Sequence, residues 1–333
     1  MKRIGEKTIE FKNQPRIIAT SSLVGQKEAD GAYGQYFHKV MNDDKMQEQT
    51  YEKAERIMLQ EAFEDANDAL VKMDKKISML IGGDLLNQNI TMSFTAREMK
   101  LPLIGVYSAC STMSESLAIG SILVDGGYND NVACGTVSHF SSAERQYRFP
   151  LEQGTQRPPV SQWTVTGAGV CVLGSSGNYP KITKATFGEV VDFGIKDANN
   201  MGAAMAPAAM NTLTNFFADT NTQPKDYDLI LSGDLGLVGS DILTELMQDR
   251  NLDISGRYQD CGAMIYEGLP HIYQGGSGAG CSASIFSSYI YQSLCKHKIN
   301  KMLYVATGAL LSTTSTQQGE SIPCIAHLVE VIS

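Results

Sequence analysis

One cysteine lies where a predicted strand runs directly into a predicted helix. Strand Leu103–Tyr107 is followed by Ser108-Ala109-Cys110-Ser111, and these small neighbours permit a sharp turn. A helix N-terminus presents unpaired backbone N–H groups, which lower the pKa of a thiol and attract anions. Cys110 can therefore act as a nucleophilic thiolate, form part of an anion-binding nest, or be a buried cysteine on a packed helix.

Two further side chains stand at predicted strand ends. Asp84, in Gly82-Gly83-Asp84-Leu85, can hydrogen-bond a pocket group, bridge to one through Ca²⁺, or cap the next helix. His139, after the predicted strand Asn131–Val137, can donate to a carboxylate or be satisfied by the backbone. The sequence has no EF-hand pattern and no HExxH motif, and its Gly-rich stretch 275–284 lacks the GK[ST] ending of a phosphate loop. We therefore expect no metal site and no cofactor.

These residues must be positioned by alternating strands and helices. Other predicted helices are Tyr51–Met73, with Ala54, Met58 and Ala62 on one face, Ser240–Asp249 and Ser282–Lys298. The alternation predicts an α/β fold whose central strands are largely parallel. The other predicted strands are Arg16–Thr20, Ile77–Ile81, Gly169–Leu173, Lys181–Val190, Tyr227–Leu231, Lys301–Thr307 and Ile325–Val331.

The chain also contains an internal echo. IGGDLL (81–86) resembles LSGDLG (231–236), SACSTMSES (108–116) resembles AGCSASIFS (279–287), and VACGTVS (132–138) resembles VATGALLS (305–312). The three pairs occur in the same order, which favours duplication over chance. We predict two similar α/β halves, residues 1–178 and 179–333, joined near a cluster of turn formers at 175–180.

Composition excludes several classes of protein. The 333 residues are 43% apolar and 19% charged, with a net charge of −9 and no basic stripe, so nucleic acid is not an expected partner. No apolar run approaches the ~18 residues of a transmembrane helix, and the N-terminus lacks the apolar region of a secretory signal. The seven cysteines contain no CxxC pair, and Cys134 and Cys171 are expected to be small buried hydrophobes.

The doubled halves, the strand–Cys–helix junction and Val165-Thr166-Gly167-Ala168-Gly169 resemble the thiolase and ketoacyl-synthase superfamily. Within it, the chain resembles the sporulation proteins that bind dipicolinic acid, through GGDLLNQ (82–88), ACSTMSE (109–115), PPVSQWTVTGAG (158–169), NMGAAMAPAA (200–209), QDCGAMIY (259–266) and NKMLYVATGALLS (300–312). This resemblance implies a thiolase-like fold, with two pseudo-symmetric halves forming a layered αβαβα core.

The same resemblance implies a pocket for pyridine-2,6-dicarboxylate, a flat dianion. An inherited oxyanion hole and the helix dipole at Cys110 would bind a carboxylate, and the former pantetheine tunnel would hold the ring. The candidate ligand-binding residues are Cys110, Asp84, Ser111, His139, Trp163, Thr166, Asn200, Met201 and Met205, the last three from a predicted loop, NMGAAM (200–205).

The acid–base groups of the superfamily's enzymes are absent from the matching positions. Strand Tyr227–Leu231 is followed by Ser232-Gly233-Asp234 without a His, and the later Gly-rich turn 278–282 contains no Asn. The second Cys of degradative thiolases has no counterpart near Gly308. We therefore expect a non-catalytic binding protein; the alternatives are an acyl-transferring enzyme that uses Cys110 and an adaptor that braces a membrane channel.

The resemblance also implies partners and a location. These are dipicolinic acid, as the free acid or its calcium chelate, and membrane proteins of the same sporulation operon. A homodimer is a further option, since superfamily members commonly dimerise. The location implied is the developing spore, at the periphery of its inner membrane.

Overall fold

The computed structural model describes residues 2–148, 151, 154 and 156–333. Its strands are β1 (Lys2–Ile4), β2 (Thr8–Glu10), β3 (Arg16–Val24), β4 (Lys39–Val40), β5 (Met79–Asp84), β6 (Leu103–Gly105), β7 (Val132–Ser138), β8 (Trp163–Thr164), β9 (Gly167–Gly174), β10 (Lys181–Thr186), β11 (Leu229–Ser232), β12 (Tyr258–Asp260), β13 (Gly276–Ser277), β14 (Lys301–Ala309) and β15 (Cys324–Ile332). The α-helices are α1 (Gln26–Ala29), α2 (Tyr51–Val71), α3 (Ile90–Met99), α4 (Thr112–Asp125), α5 (Phe140–Tyr147), α6 (Met201–Thr220), α7 (Gly236–Gln248), α8 (Cys261–Ile265), α9 (Ala279–Ile285), α10 (Tyr291–Cys295) and α11 (Thr313–Gln317).

The main strands form two groups with the same spatial order. The first group runs β6-β5-β7-β9-β3 and the second runs β12-β11-β14-β15-β10. Numbered along the chain within each group, both orders are 3-2-4-5-1. The repeated order supports, as a proposal, the division of the chain into halves 1–178 and 179–333.

The sequence echoes fall at equivalent places in the two groups. IGGDLL and LSGDLG end the second strands, β5 and β11, while VACGTVS and VATGALLS form the fourth strands, β7 and β14. SACSTMSES and AGCSASIFS begin α4 and α9. Each echo therefore marks one structural position that occurs twice.

The expectation of largely parallel central strands is wrong. Pairs β5–β6, β5–β7, β11–β12 and β11–β14 are parallel, but the pairs between them, from β7–β9 through β3–β10 and β10–β15 to β14–β15, are antiparallel. The two groups join at one residue pair, Arg16 opposite Lys181. An apolar run buried on both faces has the same composition in either direction, so the pattern did not reveal strand polarity.

The helices complete an αβαβα stack. α2 and α3 cover the outer face of the first group, and α6 and α7 cover the outer face of the second. α4 lies between the groups and contacts β5 and β7 on one side and β14 and β15 on the other. Beside it, α9 packs on β9, and the Tyr304 hydroxyl of β14 donates to Ser282 of α9 at 2.7 Å. The ring of Phe286, the residue after α9, stacks on the ring of Tyr304 with centres 4.5 Å apart. None of the helices in the described part of the chain is long and apolar enough to cross a membrane.

Two predicted helices differ in extent. α7 begins at Gly236 rather than Ser240, because the Asp260 carboxylate, from a distant segment, accepts the N–H groups of Leu235 and Gly236 at 2.9 and 2.8 Å. The predicted helix Ser282–Lys298 runs from Ala279 to Cys295 with a five-residue π-helical turn, Phe286–Ile290.

Candidate functional site

Cys110 lies between the two groups of strands, in the turn that follows β6. Ala109–Ser111 form a 3₁₀ turn between β6 and α4, and Ala109 adopts a left-handed φ of 49°, uncommon for alanine. The turn faces the ends of β11 and β14 and the Gly278 turn, and it encloses a cavity of about 50 Å³. The cavity is lined by Leu85, Tyr107, Ala109, Cys110, Ala143, Tyr147, Arg148, Thr164, Met201, Ser277, Gly278, Ala309 and Leu311.

The expectation of an acidified thiol is wrong. Burial and the neighbouring Asp234 carboxylate raise the pKa of Cys110 well above its usual value, although Arg148 and the Gly278 N–H act in the opposite direction. The side chain is 8% exposed. Desolvation therefore outweighs the helix terminus, and the thiol stays protonated at neutral pH.

Asp234 lies in Ser232-Gly233-Asp234, the turn after β11 where the superfamily resemblance leads one to look for a His, at Gly233. Its Oδ1 accepts the Thr307 hydroxyl at 2.8 Å, its Oδ2 accepts the Gly278 N–H at 3.1 Å, and the Cys110 thiol donates to it. Burial raises the pKa of Asp234 to about 7. The cavity is thus bordered by a carboxyl group that changes charge near neutral pH.

Asp84, which matches Asp234 in the sequence echo, hydrogen-bonds the backbone at the start of α3. Its Oδ1 accepts the Leu86 N–H at 2.9 Å and its Oδ2 accepts the Met92 N–H at 2.8 Å, in the first turn of α3. Burial raises the pKa of Asp84 to about 6. Asp84 does not line the cavity, and this geometry matches the helix-capping interpretation.

Three other predicted site residues form hydrogen bonds with the protein backbone. Ser111 donates to the Ala306 carbonyl at 2.7 Å and accepts the His327 backbone N–H at 3.0 Å. These bonds connect the turn before α4 to β14 and β15. Buried His139 accepts the Ser141 N–H on Nδ1 and contacts the Asp44 carbonyl through Nε2 at 2.7 Å. The Thr166 hydroxyl accepts the Phe140 N–H at 3.1 Å. None of the three lines the cavity.

The predicted NMGAAM loop is the start of helix α6. Asn200 is its N-cap residue, Met201 is its first residue and lines the cavity, and Met205 is fully buried in the core against the second group of strands. Gly202 permits a close helix crossing, because a Cβ there would lie 2.3 Å from the Leu235 carbonyl oxygen. Small residues that suggest a loop in the sequence therefore serve helix packing.

The sequence analysis missed Arg148, the residue that follows helix α5. Its side chain is 9% exposed, hydrogen-bonds the Glu144 carboxylate, and lies 3.4 Å from the Thr164 hydroxyl. Two tyrosines missed with it, Tyr107 and Tyr147, line the same cavity, with hydroxyls 3.2 Å apart. The cavity therefore has a buried cation in its wall and a tyrosine pair beside it.

A larger chamber of about 440 Å³ shares Arg148 with the cavity. Trp163 lies in its wall, on β8, which pairs with β13 next to the cavity residue Ser277. Phe140 stacks on Trp163 with ring centres 4.3 Å apart, and Arg157 bonds Glu144 at 2.7 Å. We call this volume the aromatic chamber; its described lining residues are Phe140, Glu144, Arg148, Leu151, Gly154, Gln156, Arg157, Pro158, Ser161, Trp163, Asn199, His271 and Tyr273.

One sequence signal could have located the two arginines. Arg148 and Arg157 flank the segment just before the chain's single tryptophan, Trp163, in a protein of net charge −9.

Of the nine predicted site residues, the structure places Cys110 and Met201 at the cavity and Trp163 at the chamber. Within the described ranges, no cluster of three or more His, Cys, Asp or Glu side chains could hold a metal ion.

Solved structures share this architecture at low sequence identity. The chain matches 3-oxoacyl-[acyl-carrier-protein] synthase III from Aquifex aeolicus VF5 with 10% identity and a TM-score of 0.57, over 96% of this chain and 100% of that one. It matches cerulenin-bound OleA from Xanthomonas campestris with 12% identity and a TM-score of 0.60, over 98% of each chain. The fold is therefore thiolase-like, of the ketoacyl-synthase type.

Sequence comparison narrows this class to one family. Residues 5–332 match the family described as stage V sporulation protein AD (SpoVAD). Stage V sporulation protein AD of Bacillus subtilis (strain 168) is 41% identical over 329 residues, which cover 98% of this chain and 97% of that protein. The chain belongs to the stage V sporulation protein AD family.

Proposed function

We propose that this protein binds dipicolinic acid at the Cys110 cavity and supports its import into the developing spore. The observation that carries the proposal is Arg148, a nearly buried arginine that forms a wall of both the cavity and the aromatic chamber. A guanidinium recognises a carboxylate through paired hydrogen bonds. The sporulation family supports the biological setting.

The dimensions favour a ligand that extends beyond the cavity. The cavity of about 50 Å³ is far below the roughly 300–1,000 Å³ of typical small-molecule sites, whereas the chamber of about 440 Å³ falls within that range. A flat ring with carboxylates on both sides can direct one carboxylate toward Arg148 and Cys110. The ring then occupies the wider chamber.

The Cys110 surroundings favour binding over acyl transfer. The thiolate is the nucleophilic form of cysteine, and burial beside Asp234 disfavours it. A Cβ at Gly308 would lie 2.0 Å from the Ser108 carbonyl oxygen, so that position has no room for the second cysteine of a degradative thiolase. The observation that favours an enzyme is the Cys110–Asp234 contact, in which a carboxylate could take the thiol proton.

A turnover assay separates the binding protein from the enzyme. We expect no thiolysis or condensation of acyl-CoA above background, because the thiol is protonated and the acid–base His and Asn are absent from the matching positions. Mass spectrometry of Cys110 after incubation with acyl-CoA should show no acyl adduct, with Cys110→Ser as the control. Turnover near 1 s⁻¹, an ordinary enzymatic rate, would establish the acyl-transfer alternative.

The second carboxylate of dipicolinate should contribute strongly to its binding affinity. Picolinate, with one carboxylate, should bind at least about tenfold more weakly than dipicolinate, since a charge-assisted hydrogen bond contributes roughly 1.5–3 kcal/mol. Titration calorimetry at fixed ionic strength, with and without Ca²⁺, measures both affinities. Equal affinities would mean that the second carboxylate points into solvent.

The proposal includes a location at the periphery of the spore inner membrane, through membrane proteins of the same operon. The net charge of −9 supports attachment through a protein partner, since it disfavours adsorption to anionic lipids. Fractionation of spores with and without those membrane proteins tests it. Retention of the protein on the membrane in their absence would exclude them as the anchor.

A further inference from the structure

We propose that the aromatic chamber selects planar aromatic dicarboxylates by holding the ring against the Phe140–Trp163 stack and a carboxylate on Arg157. This inference deepens the proposed function and rests on it, since it names the part of the site that distinguishes dipicolinate from aliphatic dicarboxylates. Arg148, at the boundary with the cavity, would receive the other carboxylate.

The stack offers an aromatic surface with a cation beside it. The rings of Phe140 and Trp163 are 14° from parallel with centres 4.3 Å apart, and Lys27 Nζ lies 4.3 Å from the Trp163 centre. The Arg157 guanidinium carbon lies 4.8 Å from the Trp163 centre and 5.0 Å from the Phe140 centre. Since these distances are nearly equal, the guanidinium lies alongside the stack. A planar ligand ring against the stack would therefore have a carboxylate-binding group at its edge.

The described residues that line the chamber carry more positive than negative charge. Arg148 and Arg157 share one carboxylate, Glu144, which is also the one acidic side chain among the described residues that line the chamber. Arg157 also donates to the Gln162 carbonyl at 2.8 Å, and its side chain is 21% exposed. A guanidinium has five N–H donors, so Arg157 has donors beyond those used in these two contacts. An anionic ligand would balance the charge that Glu144 leaves uncompensated.

A matched set of ligands separates the ring from the carboxylates. Iminodiacetate has the same carboxylate–carbon–nitrogen–carbon–carboxylate connectivity as dipicolinate but no ring, while isophthalate keeps the planar ring and replaces its nitrogen with carbon. Because the amine of iminodiacetate is protonated at neutral pH, glutarate, a ringless dianion whose carboxylates are also joined by three atoms, is the control for net charge. Because ring stacking and cation–π contacts favour aromatic ligands, we expect iminodiacetate to bind at least tenfold more weakly than dipicolinate. Isophthalate should bind within about tenfold of dipicolinate by the same contacts.

Trp163 provides a direct readout, since it is the single tryptophan of the chain. Dipicolinate should change Trp163 emission, excited at the red edge where dipicolinate does not absorb, with the same midpoint as calorimetry. Arg157→Gln and Phe140→Leu should each weaken dipicolinate at least tenfold. Phe140→Leu, which removes a ring contact, should also reduce the advantage of dipicolinate over iminodiacetate, whereas Arg157→Gln, which removes a carboxylate contact, should weaken both ligands. Arg145→Gln is the matched control, because Arg145 pairs with Glu52, away from the chamber lining.

The outcomes distinguish the two proposals. Dipicolinate binding by calorimetry, together with unchanged Trp163 emission and equally tight iminodiacetate binding, would overturn the chamber inference and leave the proposed function intact. Absence of both dipicolinate and isophthalate binding to a folded wild-type protein would overturn both. Thermal unfolding of each variant identifies those that have lost the fold, and Arg157→Lys, which keeps the charge but not the planar fork, should retain part of the affinity.

Discussion

Arg148→Gln should weaken dipicolinate binding by about tenfold to a hundredfold. The side chain is 9% exposed and borders both the cavity and the aromatic chamber, so a carboxylate that reaches it is largely removed from water. Loss of one charge-assisted hydrogen bond costs roughly 1.5–3 kcal/mol, and every ~1.4 kcal/mol is a tenfold change in affinity. Titration calorimetry measures this loss directly.

The fold should survive that substitution, because Glu144 keeps its contacts with Arg157 and the Thr164 hydroxyl. Arg145→Gln, on the same helix but paired with Glu52, is the control for a general loss of positive charge. Arg148→Lys should give an intermediate affinity, since an ammonium group keeps the charge without the paired donors. An Arg148→Gln protein with wild-type affinity and an unchanged unfolding temperature would place the ligand elsewhere.

The fold was easier to predict than the site, because it follows from patterns that are local in the sequence. The predicted strand Asn131–Val137 differs by one residue from the observed Val132–Ser138, because a buried strand is a short apolar run bounded by turn residues. The echoes around Asp84 and Asp234 indicated a repeated architecture, and each overlaps the end of the second strand of its group. Such patterns are local in the chain and survive without knowledge of tertiary contacts.

The chemistry at the site depends on neighbours that are distant in sequence. The helix terminus at Cys110 predicted a lowered thiol pKa, but Asp234, more than a hundred residues away, and burial reverse the direction. The Gly-containing segment NMGAAM is predicted to be a loop, although Gly202 is needed where α6 crosses α7. Arg148 and Arg157 lie around a stretch without helical or strand periodicity, so no pattern indicated that they converge on Glu144.

Dipicolinate affinity should be greatest below about pH 7 and decrease as the pH rises through that value. Burial raises the pKa of Asp234 to about 7, so this carboxyl group is largely protonated below that pH and largely negative above it. A dianion bound beside Cys110 is repelled by the charged form, and binding must then raise the pKa of Asp234 further. Affinity is therefore constant below the free-protein pKa and falls, by up to about tenfold per pH unit, between the free and bound values.

This coupling requires that dipicolinate binding takes up a proton near neutral pH. Calorimetry in buffers of different ionisation enthalpy should detect an uptake approaching one proton per ligand above pH 7. Asp234→Asn should bind dipicolinate more tightly at high pH and lose the pH dependence, with the unfolding temperature as a check on the Thr307 and Gly278 contacts. His271 also lines the chamber, so His271→Asn is the control for a change at another polar side chain of the site. A pH-independent wild-type affinity, with no proton uptake, would mean that the ligand's carboxylates lie too far from Asp234 to sense its charge, and that the Cys110 cavity is not where the dianion binds.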